Sequence, residues 1–299
     1  MAKYILGMDI GGTNTRLGLV DENYHLEDFT IVSTEKLIAT GDTVTAFIEV
    51  VKDYIADHAD KDVIGISAGF PATLDKERKT VLSAPNVKGF DNTPFVEKLT
   101  EATGIPTIIE TDVDMLILYD MHALNIPKDG VTCGFYFGTG MGNAIVINGN
   151  LLIGKNGASA ELGHIPIRGV VGQCGCGNTS CSELVASGYH LRDIVAESFP
   201  DTHISNVFTE KLDTPQIQQF VDDLAAVVAT EINILDPEYI ILGGGLTKMP
   251  DFPFALLEAN IKKYARNPYP AESLSYYYAH DGQENGVIGA GILGFSKFN

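Results

Sequence analysis

The sequence is poor in positive charge. Its 299 residues include 20 Lys and Arg against 39 Asp and Glu, a formal net charge of −19. Nucleic acids and anionic membranes are bound by clustered Lys and Arg, so this imbalance argues against both kinds of partner. It does not exclude a phosphate ligand, because backbone N–H groups and a divalent cation can hold phosphate without net basic charge.

Long apolar runs and a recognisable leader are also missing. No apolar stretch approaches the ~20 residues of a membrane span. The opening MAKYILGMDIGG shows no charged-then-apolar leader and no small-residue cleavage site. We therefore expect a cytoplasmic protein. Apolar residues make up 45% of the chain, which is sufficient for one large core or two smaller ones.

Cysteine is scarce, and three of the four cysteines fall within HIPIRGVVGQCGCGNTSCSE, residues 164–183. One imidazole and three thiols are the ligands of a tetrahedral zinc, and in a reducing compartment their spacing favours a metal over disulfides. Four protein ligands leave no open position, so the metal would be structural. The predicted ligands are His164, Cys174, Cys176 and Cys181. Cys133 stands apart and is predicted to be a packed core residue.

Two glycine-rich turns each lie between two predicted strands. The first is GGTN within residues 4–20, and the second is GTGMG within residues 131–149. Rossmann and P-loop sites place their glycines between a strand and a helix, so neither motif is present. Because strand, turn and strand recur in each half, we predict a duplicated fold with a cleft between two similar lobes.

The remaining chain alternates predicted helices and strands. Apolar residues at helical spacing predict helices at 43–58, 113–124 and 216–237. Short apolar runs predict strands at 63–70, 107–111 and 239–246. This alternation indicates α/β architecture.

The paired glycine turns are suited to a polyphosphate. Glycines let backbone N–H groups approach a phosphate, and Thr13 adds a hydroxyl. Asp9, just before the first turn, could hold a water bound to Mg²⁺. Each turn alone is equally well a tight hairpin, but two facing turns would hold a nucleotide from both sides. The glycines of ILGGGL (241–246) could contact a nucleoside or simply turn the chain.

Three carboxylates are candidates for chemistry. Asp112 ends the 107–111 strand, where active sites of open α/β sheets collect, and it could accept a proton from an attacking hydroxyl. The alternative role is a helix N-cap, which its position alone favours. Glu161 and Glu183 bracket the predicted metal ligands. They are either solvated surface charges or, with zinc bound, carboxylates held close enough together to bind sugar hydroxyls.

Together these stretches resemble the ROK family of bacterial sugar kinases and repressors. The matching segments are DIGGTNTRLGLV, SAPN, FGTGMGNAIVINGNLLIG, ELGHIP, CGCGNTSCSE and LDPEYIILGGG. The resemblance implies an α/β, actin/hexokinase-like (ribonuclease H-like) fold of two lobes around a cleft. It implies ATP and Mg²⁺ in the cleft, a sugar near the hinge and a structural zinc. The implied lobes are 1–117, completed by 280–299, and 118–279.

The resemblance also implies roles for individual residues. The first phosphate loop is Asp9, Gly11, Gly12 and Thr13, the second is Gly138, Thr139 and Gly140, and Gly244 and Gly245 lie by the adenosine. The sugar-contacting positions are Asn86, Thr111, Asp112, Glu161, His164 and Glu183. Asp112 matches the catalytic base. One ring nitrogen of His164 would bind zinc while the other faces a sugar hydroxyl.

Two positions depart from the family pattern. Thr111 stands where most family kinases have asparagine, and Ala72 stands where most have glycine. Together with Thr111, the stretches GFPA (69–72) and ILGGGLTKMPDFP (241–253) resemble the family's D-allose kinases. We therefore expect a homodimeric, ATP-dependent hexose 6-kinase acting on D-allose. The alternatives are a glucokinase, fructokinase or N-acetylmannosamine kinase of the same family, or a sugar-sensing repressor without catalysis.

Overall fold

A computed structural model describes residues 2–298. The strands are β1 (Lys3–Ile10), β2 (Asn14–Asp21), β3 (Leu26–Ser33), β4 (Asp62–Phe70), β5 (Thr73–Leu74), β6 (Val81–Ser83), β7 (Thr107–Thr111), β8 (Val131–Phe137), β9 (Met141–Ile147), β10 (Asn150–Leu151), β11 (Tyr239–Gly243) and β12 (Tyr276–Tyr278). The α-helices are α1 (Thr34–Ile38), α2 (Thr43–Asp57), α3 (Phe95–Thr103), α4 (Asp112–Ala123), α5 (Gly188–Ser198), α6 (Val207–Lys211), α7 (Pro215–Leu235), α8 (Phe254–Tyr264) and α9 (Asn285–Phe298). Short 3₁₀ helices cover Leu162–His164, Ser182–Leu184, Ile204–Asn206 and Gly245–Lys248. Within residues 2–298, none of the helices combines the length and apolar character that crossing a bilayer requires.

The chain divides into two compact units. Unit 1 comprises residues 2–125, 153–159 and 281–298, and unit 2 comprises residues 126–152 and 160–280. Each contains a five-stranded sheet, ordered β3-β2-β1-β4-β7 in unit 1 and β10-β9-β8-β11-β12 in unit 2. If the five strands of each sheet are numbered by their order along the chain, both sheets have the spatial order 3-2-1-4-5. This shared order agrees with the predicted duplication. The predicted lobe boundaries and the cleft stay predictions.

The sheet of unit 1 gathers several polar residues at one edge. β1 and β2 form an antiparallel hairpin, and β4 and β7 continue the sheet in parallel with β1. The register places Asp9 opposite Arg16 on β2 and opposite Gly69 on β4. Gly69 in turn lies opposite Glu110 on β7. Because β1, β4 and β7 run parallel, Asp9 and the β7–α4 junction both lie at the C-terminal ends of these strands.

Each unit has its own apolar core. In unit 1, four fully buried phenylalanines meet edge to face, a favoured aromatic geometry: Phe47, Phe70, Phe90 and Phe95. In unit 2, α7 buries the apolar face that its periodicity predicts, including Ile217, Phe220 and Leu224. Cys133 on β8 is fully buried in the same core, which confirms the prediction for this residue.

The last helix, α9, belongs to unit 1. It packs on α4, β1 and β4. Gly289 allows the close approach to α4, because a Cβ at this position would lie 1.9 Å from the Met115 carbonyl oxygen. At its N-terminal end, Gly286 lies against the Asp9 side chain. The helix therefore covers the sheet and fixes α4 and β1, the two elements that carry the candidate carboxylates.

Most predicted element boundaries agree with the structure. The helices predicted at 43–58, 113–124 and 216–237 are confirmed as α2, α4 and α7 within two residues at each end. The strand predicted at 239–246 is too long. β11 ends at Gly243, because Gly244 adopts a φ of 93° and leads into a 3₁₀ helix.

Candidate functional site

Asp112 is the first residue of α4 and directly follows β7. The N-cap is Thr111, whose hydroxyl accepts a hydrogen bond from the Asp114 amide at 3.3 Å. The cap role that position alone favoured for Asp112 is therefore wrong, since the preceding threonine already supplies the capping oxygen. The half-buried Asp112 carboxylate accepts a hydrogen bond from the adjacent Val113 amide at 2.9 Å. It retains acceptor capacity for a further proton.

Negative charge is concentrated around Asp112. Burial, the larger cause, and the charge of Asp9 raise the pKa of Asp112 to about 6. Burial also raises the pKa of Asp9, against the opposing effect of Arg16, whose Nη1 lies 3.2 Å from Asp9 Oδ2. Burial is the main cause of both raised pKa values, and Arg16 pairs directly with Asp9. This donor set fits a divalent cation, with Asp9 as the residue that would hold it through a water.

The first glycine turn lies in unit 1. The Gly11 amide donates to the Asn14 carbonyl oxygen at 3.0 Å and closes the turn. The Asn86 carbonyl packs against Gly12, where a Cβ would lie 2.9 Å from this oxygen. The turn is therefore rigid at Gly11, and the amides of Gly12 and Thr13 are the donors that a phosphate could meet.

The second glycine turn has a similar construction in unit 2. The Gly138 amide donates to the Gly140 carbonyl oxygen at 3.1 Å. The carbonyl oxygens of Gly138 and Thr139 accept from the amides of Gly188 and Tyr189, at 3.0 and 2.9 Å, at the start of α5. A Cβ on Gly138 would meet no atom within 4 Å. The turn is thus held by α5, while the space beside Gly138 is open.

The third glycine segment lies next to the second turn. β11 pairs in parallel with β8, so Gly244 follows the end of β11 beside Phe137 at the end of β8. With its φ of 93° and a Cβ position 2.5 Å from the Phe137 nitrogen, residue 244 must be glycine. A Cβ on the exposed Gly245 would meet no atom within 4 Å. Gly244 and Gly245 therefore lie close to Gly138, as an adenosine site next to a phosphate site would require.

The four predicted metal ligands come together in unit 2, and we refer to them as the metal clasp. Their ligand atoms all lie within 4.8 Å of one another. Cys174 Sγ is 3.5 Å from His164 Nδ1, and Cys176 Sγ is 3.5 Å from Cys181 Sγ. Around a tetrahedral zinc, ligand atoms are separated by about 3.5–3.8 Å, whereas a disulfide has sulfurs about 2.05 Å apart. The donor set and its spacing fit zinc and do not fit a disulfide.

The two ring nitrogens of His164 face different groups. Nδ1 faces Cys174, while Nε2 lies 3.7 Å from Glu161 Oε2. Glu161 is the more exposed of the pair, with 55% of its side chain accessible against 32% for His164. Binding a metal through Nδ1 would leave Nε2 and the Glu161 carboxylate together as a polar pair for another ligand.

Glu183 links the metal clasp to the second glycine turn. Its Oε2 accepts a hydrogen bond from the Met141 amide at 3.1 Å, and its Oε1 lies 4.0 Å from Cys174 Sγ. The carboxylate packs on Gly140, where a Cβ would lie 2.3 Å from Oε2. Because Glu183 follows Cys181 by two residues, fixing Cys181 also fixes this link. The predicted sugar contact of Glu183 stays a prediction.

The predicted site residues thus form separate groups in the two units. Unit 1 holds Asp9, Gly11, Gly12, Thr13, Asn86, Thr111 and Asp112, and unit 2 holds all the others. Sequence reasoning does not find Arg16, although pairing across the first turn places it opposite Asp9. It also does not assign roles to Glu110 and Asp114, which flank Asp112 in the conspicuous ETDVD stretch.

Comparison with known proteins gives consistent matches over almost the whole chain. A glucokinase from Thermotoga maritima is 29% identical over 283 residues, which cover 87% of this chain and 87% of that protein. An N-acetyl-D-glucosamine kinase from Histophilus somni is 26% identical over 308 residues, 97% of this chain and 99% of the relative.

Comparison with solved structures agrees with these sequence matches. The crystal structure of a ROK hexokinase from Thermus thermophilus is 25% identical, with a TM-score of 0.79 over 98% of each chain. Its similarity extends to both units and their mixed five-stranded sheets. The ROK family model itself matches residues 5–296. The chain therefore belongs to the ROK family and has its hexokinase-like α/β fold.

Proposed function

We propose that this chain is an ATP-dependent kinase that phosphorylates the 6-hydroxyl of a hexose. The observation that supports this most directly is Asp112, a half-buried carboxylate at the end of β7 that does not cap its helix. Its pKa of about 6 lies near a neutral working pH, where a general base is most effective. The sugar kinases among the relatives support the same class of reaction.

The proposed transfer uses Asp112, the two glycine turns and a divalent cation. Asp112 would accept the proton of the 6-hydroxyl as that oxygen bonds to the γ-phosphorus and the bond to the ADP oxygen breaks. The amides of Gly12, Thr13 and the second turn would donate to phosphate oxygens as negative charge develops on them. Mg²⁺, bound through a water to Asp9, would supply neutralisation of the phosphate charge.

We also propose that the metal clasp holds a structural zinc. Its ligands lie between the candidate sugar-contacting residues Glu161 and Glu183 in the sequence, so a bound metal would fix the segment that carries both. Residues fixed in this way bind a ligand with little ordering cost. In this proposal His164 Nε2, Glu161 and Asn86 contact sugar hydroxyls, and Glu183 holds the second phosphate loop in addition to any sugar contact.

Gly138→Ala tests the second phosphate loop. Since the added Cβ would meet no protein atom within 4 Å, the melting temperature is expected to stay at the wild-type value. The methyl group would enter the space proposed for phosphate, so the KM for MgATP is expected to rise by about tenfold or more, equivalent to ~1.4 kcal/mol. Steady-state kinetics and thermal melting measure the two effects.

Gly188→Ala is the matched control for this variant. Its Cβ would lie 2.5 Å from the Gly138 carbonyl oxygen, so it disturbs the same turn through a backbone clash. It is expected to lower the melting temperature, unlike Gly138→Ala. An unchanged KM for MgATP in Gly138→Ala would contradict a phosphate site beside this residue.

D-Allose is the hexose that we propose within this class. The Thr111 hydroxyl donates to Asp114 Oδ2 at 2.8 Å while accepting from the Asp114 amide, so it is occupied by the helix cap. A sugar hydroxyl that meets an asparagine at this position in other family kinases would lack that partner here. This change disfavours glucose as other family kinases bind it and is compatible with an epimer such as allose. D-Glucose and N-acetyl-D-glucosamine are the rivals that the relatives suggest.

A sugar panel separates these substrates. ADP release would be measured with D-allose, D-glucose, D-mannose, D-fructose, N-acetylmannosamine and N-acetyl-D-glucosamine. We expect kcat/KM for D-allose to exceed that for D-glucose by about tenfold, the effect of one hydrogen bond. A preference for another hexose would contradict the allose proposal but would still support the kinase proposal.

Absence of turnover with every sugar would contradict the kinase proposal and favour a sugar-sensing protein. Sugar binding measured by calorimetry would then identify the ligand directly. The homodimeric state that the resemblance implies and the cytoplasmic location that we expect from the sequence both stay predictions.

A further inference from the structure

The segment 153–159 packs on unit 1 through a glycine. This segment belongs to unit 1, although the chain immediately before and after it belongs to unit 2. Gly157 is its one buried residue, and the others are exposed or half-buried. Because it has a φ of 77° and a Cβ on it would lie 3.1 Å from the Leu74 carbonyl oxygen, residue 157 must be glycine. Gly157 therefore fixes the segment against the end of β5.

Arg78 holds Gly157 in this position. Its Nη1 donates to the Gly157 carbonyl oxygen at 2.9 Å, and its side chain is only 13% exposed. Arg78 lies in the β5–β6 turn, where its amide donates to the Asp75 carbonyl oxygen at 3.0 Å. Asp75 Oδ1 also accepts from the amides of Lys79 and Thr80, at 2.7 and 2.6 Å. The arginine side chain therefore extends from a turn that is well fixed by hydrogen bonds.

The backbone conformation of Arg78 shows that the turn alone does not explain this residue. Its φ is 53°, in the left-handed region that favours glycine or asparagine. A glycine would make the same turn with less backbone strain. Strain of this kind is retained where the side chain has a specific task, so the contacts of the guanidinium account for the arginine.

The same guanidinium reaches the end of β7. Arg78 Nε lies 2.6 Å from Oε1 of Glu110, a residue that is only 3% exposed. The contact is an ion pair rather than a hydrogen bond, because the N–H bond does not point at this oxygen. Glu110 Oε1 also accepts a hydrogen bond from the Thr111 amide at 3.0 Å. Thr111 is the N-cap of α4 and directly precedes Asp112. One guanidinium therefore contacts both the segment 153–159 and the β7–α4 junction.

We infer that Arg78 is a positioning residue that holds the segment 153–159 and the β7–α4 junction in a fixed arrangement. A planar guanidinium can make both contacts at once, because its N–H groups point in different directions. The junction carries Asp112, and Gly157 precedes Glu161 by four residues. The kinetic consequences rest on the proposed kinase function, whereas the two contacts and their effect on local order do not.

A pair of variants separates this role from simple charge compensation. Arg78→Gly removes the guanidinium and suits the positive φ, so the turn should persist. It also leaves Glu110 as a buried charge without its partner, which is destabilising in itself. Adding Glu110→Gln removes this charge, while the glutamine oxygen can still accept from the Thr111 amide. Lys76→Ala is the matched control, since Lys76 is an exposed cation of the same turn.

The expected kinetic and thermal effects differ between these variants. Arg78→Gly should lower the melting temperature, and the double variant with Glu110→Gln should recover most of this loss. The kcat for hexose phosphorylation should fall by about tenfold to a hundredfold in both, because Asp112 is no longer held in place. The KM for the sugar should rise in both, through the segment that leads to Glu161. Lys76→Ala should keep the wild-type melting temperature, kcat and KM.

Hydrogen exchange provides a readout that does not depend on activity. The amides of residues 153–159 and 111–114 should exchange about tenfold faster in Arg78→Gly and in the double variant than in wild type, which corresponds to the loss of one hydrogen bond. Lys76→Ala should exchange at the wild-type rate in both segments. Mass spectrometry of proteolytic fragments resolves these two segments from the rest of the chain.

The outcomes separate this inference from the proposed function. Unchanged exchange of both segments in Arg78→Gly would overturn the positioning role. Recovery of kcat together with the melting temperature in the double variant would also overturn it, because Arg78 would then only compensate the charge of Glu110. If wild type phosphorylates no sugar, the kinase proposal fails, and the exchange data still decide whether Arg78 orders the two segments.

Discussion

Asp112→Asn is expected to lower kcat for hexose phosphorylation by about a thousandfold, the usual contribution of a general base. The amide cannot accept the proton of the sugar hydroxyl, so only the contributions of orientation and phosphate binding remain. The KM values for sugar and MgATP should stay near wild type. Asparagine keeps the oxygen that accepts from Val113, and the helix cap is provided by Thr111.

Controls for this variant follow from the same contacts. The melting temperature should match wild type, because neither the cap nor the core is altered, and calorimetry should show normal sugar binding. Turnover near the wild-type rate would show that Asp112 is not the base. A folded variant that no longer binds sugar would assign Asp112 to binding instead.

The pH dependence provides a second test of the same residue. Asp112 must be ionised to accept a proton, and its pKa is raised to about 6 by burial and by the charge of Asp9. Wild-type kcat/KM should therefore rise with pH through about 6 and then level off. An acidic limb near pH 4, typical of an exposed carboxyl, would argue against Asp112 as the group that limits the reaction.

Removal of the clasp metal is expected to have the largest effect on stability. We expect one zinc per chain, and stripping it with a chelator should lower the melting temperature by about 10 °C or more, since structural zinc contributes several kcal/mol. Without the ion, three thiols and an imidazole lose their common partner. The link from Glu183 to Met141 also loses its anchor at Cys181, so MgATP binding should weaken as well.

The chain offers a pair of variants that isolate the ligand effect. Cys176 is exposed, so Cys176→Ser removes a ligand without disturbing core packing. Cys133→Ala changes a fully buried cysteine outside the clasp and should retain one zinc. Zinc content is measured by elemental analysis and stability by thermal melting. A chain that carries no zinc and melts identically with and without chelator would contradict the structural site.

Sequence patterns predict those parts of the molecule that depend on local periodicity and on ligand chemistry. The strand–turn–strand pairs and the helices α2, α4 and α7 follow from apolar spacing, because each element buries one face regardless of its neighbours. The metal clasp follows from the rarity of cysteine and the spacing of its ligands. In these cases the signal lies within a short stretch of chain.

The contacts that surround Asp112 could not be predicted in this way. Thr111 and Asp112 are both good capping residues, and only the helix start decides which of them caps. Arg78 is far from Glu110 in sequence, and its pairing depends on how the β5–β6 turn folds back. Glu183 is adjacent to the clasp in sequence, but its bond to Met141 depends on packing between distant segments.

Because α9 belongs to unit 1, the order in which the chain is synthesised affects how unit 1 folds. During synthesis the ribosome releases residues 2–125 long before α9, the helix that covers β1 and β4. The face of the first sheet that α9 covers therefore stays exposed until all of unit 2 has been synthesised. Unit 2 can fold during this time. The usual order, in which the N-terminal part completes first, is reversed here. The carboxylates of the proposed active site are among the last groups to reach their final environment.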